Sequence, residues 1–555
     1  MGEGAFVMAE EAVERIGAAP AIGMALMERL GIVEYLDGLS GSRSGFPLGK
    51  RVKAMCGTMF TPNQRQVLSA IGPFYGYAPV GSLFGVGHAS MNDQSFGRAL
   101  DEIWELDPVS VFYNVASRVR ANLHTVSAFY HFDASNMTVY RVPGSEPDPA
   151  VPEDGPEAAF GRPKDHSTGL MQYNFESVVD ENGLPLYTRL HRGNESDGRM
   201  LMDALRFLEE RMREMDFVAV ADCKMVYAEM VDRLIWDNVP FISKCPASFG
   251  DSARDRAVTT ALERGFTRVG RIGSRRDSPE FEACDMRLDA AGTPLRFIAF
   301  REVGVEHTFD YYRGTVAKRV ARTLKALAKR EFDCRPDAES ALAGALSDIS
   351  DAPFAVTSEV FPEEVPLPLP HRGRPRKGEV RVTRTVWRVR VGWEFDEAAA
   401  GARAVRDDVR VIVTSVPDAP ETCEDFSDGA TCADVMRAYF GQWRVEDVFR
   451  DFKSRLGADT VYLQNAHREA AFVTVVAVAT LVRNVMRLLL RRAEGGVIGL
   501  PKGLTPMRVF RSVQNSDIRA GRDANHPVLD GPPHERDLVV MVAKALELDP
   551  AGMLG

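Results

Sequence analysis

The chain has 555 residues, 45% hydrophobic and 26% charged, which is the composition of a water-soluble protein with enough apolar surface for several cores and excludes a disordered or fibrous one. Its net charge of −10 excludes a generally basic nucleic-acid coat, so any DNA binding must rest on local patches. Seven scattered cysteines with no C-x2-C spacing indicate neither a disulfide framework nor a structural zinc site.

No charged-then-apolar leader opens the sequence, and the one long apolar run, Ala470 to Val482, is too short to cross a bilayer. The expectation is a cytoplasmic protein with no membrane partner, in which that run is a buried helix. Residues 1–124 read as a helical N-terminal domain. Apolar residues recur at helical spacing in Ile22, Leu26 and Leu30, in Phe96, Leu100 and Ile103, and in Val111, Val115 and Val119.

Residues 125–250 read as α/β. The aromatic strand Phe129–Asp133 closes on a carboxylate. Tyr173, Phe175 and Ser177 alternate with polar residues, Asn182-Gly183 is a hairpin turn, and Leu184 to His191 returns as a strand. Gly193-Asn194-Glu195-Ser196-Asp197 then caps a helix. The apolar run Phe217–Ala221 reads as a buried strand ending at Asp222, followed by a helix and the strand Phe241–Lys244. Carboxylates at the ends of core strands sit where open α/β sheets build their sites.

Residues 251–428 read as a mixed, mainly β insertion. Between His371 and Arg390 it carries eight Lys or Arg against the single acid Glu379. Arg372, Arg374, Arg376 and Lys377 form an Arg-Gly-Arg-Pro stretch suited to phosphates or a narrow minor groove. Trp387 to Trp393 reads as a strand with one buried face and one basic face carrying Arg388 and Arg390. Residues 429–492 return to the core, and 493–555 form a tail without a motif.

The stretch Tyr439 to Lys453 carries the most chemistry. Counted as one helix, it stacks Tyr439, Glu446 and Lys453 on a single stripe, with Arg450 placed to brace Glu446. Val445, Val448, Phe449 and Phe452 supply the apolar face, and Trp443 is open to stacking on a DNA base or to packing, with packing the expectation. This stretch resembles the Y-x2-R-x3-E-x6-K signature of bacterial DDE transposases of the insertion-sequence-four type, with Gln442 at the arginine position. The surrounding order (MNDQSFGRALDEIWELDP, then KDH, G-N-x-S-D, V-A-D and I-S-K) is similar to the insertion-sequence-1634 group, with Cys223 where a glycine is usual.

The resemblance implies a ribonuclease-H-like catalytic core interrupted by the insertion, with Asp133, Asp222 and Glu446 as catalytic metal ligands for two Mg²⁺ or Mn²⁺ ions. It implies DNA contacts from Tyr439, Gln442, Arg450 and Lys453 beside those of the basic patch. The implied partners are the double-stranded ends of a mobile element, target DNA and a second copy of the chain, at the bacterial nucleoid. The implied activity is DNA cleavage and strand transfer. Gln442 and Cys223 keep open the alternative of a domesticated transposase that binds DNA without cutting it.

Overall fold

The computed structural model describes residues 14–40, 45–62, 66–139, 148–161, 169–212, 217–273, 278–290, 292–304, 307–367, 381–455, 463, 465–519, 528–549 and 553. The fold is mixed α/β, in two compact units: 1–246 with 414–555, and 247–413.

In the first unit the strands Phe129–Val139, Met171–Asp180 and Pro185–His191 form an antiparallel meander. The hairpin turn falls at Asn182-Gly183 as the sequence predicts. Gly183 takes φ 82°, and the Asp180 carboxylate accepts the backbone N–H groups of Asn182 and Leu184. On the other side of Phe129–Val139 lie Val218–Ala221 and then Phe241–Lys244, both parallel. The strand order is therefore 185–191, 171–180, 129–139, 218–221, 241–244.

The apolar run near residue 470 lies within a 27-residue helix, Ala466–Arg492, long and apolar enough to cross a membrane by composition, yet its apolar window is 89% buried inside the protein. It packs against the strand Pro185–His191 and the helices Asp93–Glu105 and Pro108–Asn122. The Tyr173 hydroxyl reaches its buried Glu469 at 2.5 Å. The N-terminal helices thus share one compact unit with the sheet.

The second unit holds four sheet strands in the order Arg410–Thr414, Thr293–Glu302, Glu280–Ala290, Thr267–Arg271. It also holds a 13-rung ladder between Phe354–Pro366 and Thr383–Phe395. Helix Ala317–Ala328 buries Val320, Leu324 and Leu327 and turns its lysines and arginines outward.

Candidate active site

Asp133 does not close its strand, which runs on to Val139. What ends there is the parallel ladder: Phe132 pairs with Ala221, and beyond that rung the strand pairs only with Met171–Asp180. Asp133 and Asp222 are each the next residue after that shared rung. Asp222 keeps an extended backbone, so both carboxylates project from neighbouring strands on one side of the sheet. The Ser243 hydroxyl donates to the Asp222 carbonyl at 2.9 Å, and the Asp222 Oδ1 accepts the Cys223 N–H at 2.6 Å. Burial, and then the Asp222 carboxylate beside it, push the Cys223 thiol up, which lowers its thiolate fraction.

Alternation fixes which face matters. Asp133 is paired with Ser177, Ser135 with Phe175 and His131 with Val179, so His131, Asp133, Ser135, Phe175 and Ser177 share a face. Phe449 meets the Phe175 ring edge-on at 5.2 Å, and Phe452 stacks on it at 4.9 Å. Gly441 lies so close to His131 that a Cβ there would come within 2.8 Å of the ring. These contacts flank Glu446 in sequence, so its helix, Trp443–Arg450, crosses the face that carries Asp133. Glu446 itself is exposed on that helix.

The predicted continuous stripe is not formed. One helix ends at Phe440, a tight turn with hydrogen bonds three residues apart occupies Gly441–Val445, and a π turn replaces the α-helix at Asp451–Arg455. The breaks fall where the packing is closest, with Gly441 against His131 and Phe452 stacked on Phe175. Tyr439 therefore belongs to the preceding helix, and Gln442 stands as the N-terminal flank of the Glu446 helix. Lys453 is half-buried with its Nζ 5.8 Å from the centre of the Phe175 ring.

Arg450 does not brace Glu446. It bonds Asp447 at 3.1 Å, and the bracing comes from the long helix instead. Arg487 pairs with Asp447 and reaches Asp451 at 3.4 Å, while fully buried Arg483 faces fully buried Asp451 at 3.8 Å. Sequence periodicity could not single out these partners, because they join segments more than thirty residues apart. The long apolar helix starts at Ala466. Trp443 is 48% exposed, with the Arg444 guanidinium 5.2 Å from its ring centre, and is not a packing residue.

His131 was not legible as a site neighbour. It is 1% exposed, and its Nδ1 has no hydrogen-bond partner. Burial, and then the nearby Arg444 charge, push its imidazole down to about 3, so it is neutral near pH 7.

In the second unit, the basic strand is not a bare cationic face. Arg384 and Arg388 both pair with Glu331, Arg388 also with Glu363, and Arg390 with Glu359. Cross-strand register pairs Glu359 directly with Arg390 and sets Glu363, opposite Val386, diagonally across from Arg388. Arg372, Arg374, Arg376 and Lys377 lie outside the described residues.

Asp133, Asp222 and Glu446 offer only carboxylate oxygens, which suits a hard dication. Their oxygens do not form a closed set: among the described residues, the three donors lying within 4.8 Å of one another are those of His191, Glu195 and Asp203. A polar cleft of about 560 Å³ opens just beyond the aspartate strands, lined among others by Asn136, Asn174, Asp197 and Lys224. Lys224 is ion-paired with Asp197 across it. No protein-family model matches the chain, and no curated protein matches it.

Proposed function

We propose that the chain is a DDE-type DNA transposase with a ribonuclease-H-like core, cutting element ends and joining them to target DNA. The observation that carries this reading is the placement of Asp133 and Asp222 one residue beyond a shared parallel rung, with the helix that bears Glu446 packed on the Asp133 strand. The antiparallel meander followed by two parallel strands, in the order given above, supports the same reading.

Asp133, Asp222 and Glu446 would hold Mg²⁺ or Mn²⁺, which when bound supplies an activated oxygen nucleophile and charge neutralisation at the phosphoryl group. The protein's own part is positional. Phe175, Phe449 and Phe452 fix the Glu446 helix, and the Arg483–Asp451 and Arg487–Asp447 pairs tie it to the long helix. Lys453, Arg450 and Arg444 are cations near this face of a protein of net charge −10, and they would meet the DNA backbone. The substrate is double-stranded DNA, held by two copies of the chain at the bacterial nucleoid.

The test is cleavage of a labelled duplex carrying the gene's own flanking ends, with Mg²⁺ or Mn²⁺. The wild type cuts at the element boundary, while Glu446→Gln binds the duplex but loses cleavage by roughly a hundredfold or more. A wild type that binds these ends and never cuts in either metal removes the enzyme reading and leaves DNA binding alone.

A further inference from the structure

A second constellation lies at the end of the strand Pro185–His191, where the chain turns into the helix Asp197–Arg211. His191 is the last residue of the strand, Glu195 stands in the turn and Asp203 is on the second turn of the helix. One donor atom from each lies within 4.8 Å of the others.

The imidazole is held from behind. His191 Nε2 lies 3.0 Å from Oε1 of Glu176, a carboxylate 2% exposed, and the Tyr187 hydroxyl donates to the same oxygen at 2.8 Å. The second Glu176 oxygen, Oε2, is buried without a hydrogen-bond partner. In the neutral ring, a carboxylate accepting Nε2–H sets the tautomer and leaves the Nδ1 lone pair turned to Glu195. This is the arrangement that orients metal-bound histidines.

The front of the ring has the spacing of shared coordination. His191 Nδ1 and Glu195 Oε2 are 3.5 Å apart, which is long for a charged hydrogen bond. Two ligands at about 2.1 Å from one tetrahedral ion are separated by roughly 3.4 Å.

Charge points the same way. Glu176, Glu195 and Asp203 face two arginines: Arg189 at 3.6 Å from Asp203 and Arg199 at 3.1 Å from Glu195. Arg199 is exposed, so its guanidinium can turn to solvent and leave Glu195 to a cation, while half-buried Arg189 stays beside Asp203. Asp203 and Glu195 each border an open cleft, which gives an entry path.

We propose that His191, Glu195 and Asp203 bind a single transition-metal dication, with Glu176 orienting the imidazole. One nitrogen and two oxygen donors select Zn²⁺ or Mn²⁺ over Mg²⁺ or Ca²⁺. The ion clips the outer strand of the sheet to the helix that follows it, and is distinct from any ion held by Asp133, Asp222 and Glu446. The competing arrangement is an imidazolium bonded to Glu176 and Glu195 with no metal.

The full chain, stripped with a chelator, is titrated with Zn²⁺ by calorimetry, with Co²⁺ absorption reporting nitrogen and oxygen coordination. The wild type binds one equivalent that persists in an Asp133→Asn/Asp222→Asn variant and raises the thermal midpoint. Asp203→Asn, at a partly exposed position that keeps the shape of the side chain, weakens that equivalent by at least about tenfold and loses the thermal shift. Equal Zn²⁺ affinity in Asp203→Asn and wild type overturns the proposal. So does a wild type whose bound Zn²⁺ is all abolished by Asp133→Asn/Asp222→Asn. His191→Ala risks unfolding through its buried ring, which is why Asp203 carries the test.

Discussion

Gly441→Ala separates the seating of the Glu446 helix from ordinary helix propensity, because the two make opposite predictions about stability. Gly441 has a right-handed helical backbone, φ −64° and ψ −12°, so alanine is conformationally welcome there and should add about 1 kcal/mol if the site were open. It is not open. The new Cβ would lie 2.4 Å from Arg444 Nη1, 2.8 Å from His131 Cε1 and 2.9 Å from the Ala438 carbonyl oxygen. The arginine tip can swing away, but the histidine ring is buried in the sheet face and the carbonyl belongs to the preceding helix. Overpacking of this kind costs about 1–3 kcal/mol, which leaves a net destabilisation of roughly 0–2 kcal/mol once the propensity gain is subtracted. The larger effect falls on function. Lifting the turn moves Glu446, five residues on, relative to Asp133, and a displacement near 1 Å costs about a hundredfold in rate. Urea unfolding measures the first quantity and metal-dependent cleavage the second. A variant about 1 kcal/mol more stable than wild type, with full cleavage, would refute the contact and the seating argument together.

Two further predictions follow from the same region. His131 has its folded value depressed to about 3 against an ordinary value near 6.5, so its contribution is intact above pH 6.5 and is lost as pH falls towards 3. Between pH 6.5 and 5 the wild type should lose about 1.5 kcal/mol more than His131→Leu does; parallel pH profiles of denaturant midpoints would contradict the burial of a neutral imidazole. Asp451→Ala removes the carboxylate 3.8 Å from the Arg483 guanidinium, which is 1% exposed in the core, and should cost about 3–5 kcal/mol. The double variant Asp451→Ala/Arg483→Met should recover much of that in thermal unfolding, and no recovery would show that the pair is not the cause.

Local chemistry made much of the first unit legible. Strict alternation at Tyr173, Phe175 and Ser177, the Asn182-Gly183 turn and the all-apolar Phe217–Ala221 run each have one low-energy backbone solution, and the strands and turn form where those patterns stand. Asp222 at the end of its strand follows from the same reading. The run from Tyr439 to Lys453 shows its helical period but not its breaks. Those are set by His131, Phe175 and the long helix, all far away in sequence.

Likewise, alternation alone makes Arg388 and Arg390 look like a free basic face, because Glu363 and Glu359 stand on another strand whose register only pairing decides and Glu331 follows a helix more than fifty residues away. The His191, Glu195 and Asp203 donors lie within thirteen positions, yet nothing in that spacing reveals Glu176 behind the imidazole. Sequence by itself determined where most strands and helices lie and that Asp222 ends a core run, since those depend on local backbone preference and apolar period, but not that the Asp133 strand runs on to Val139. Tertiary structure decided which of these groups share a face, which charges are already paired and where a helix must bend, because each depends on atoms brought together only by packing.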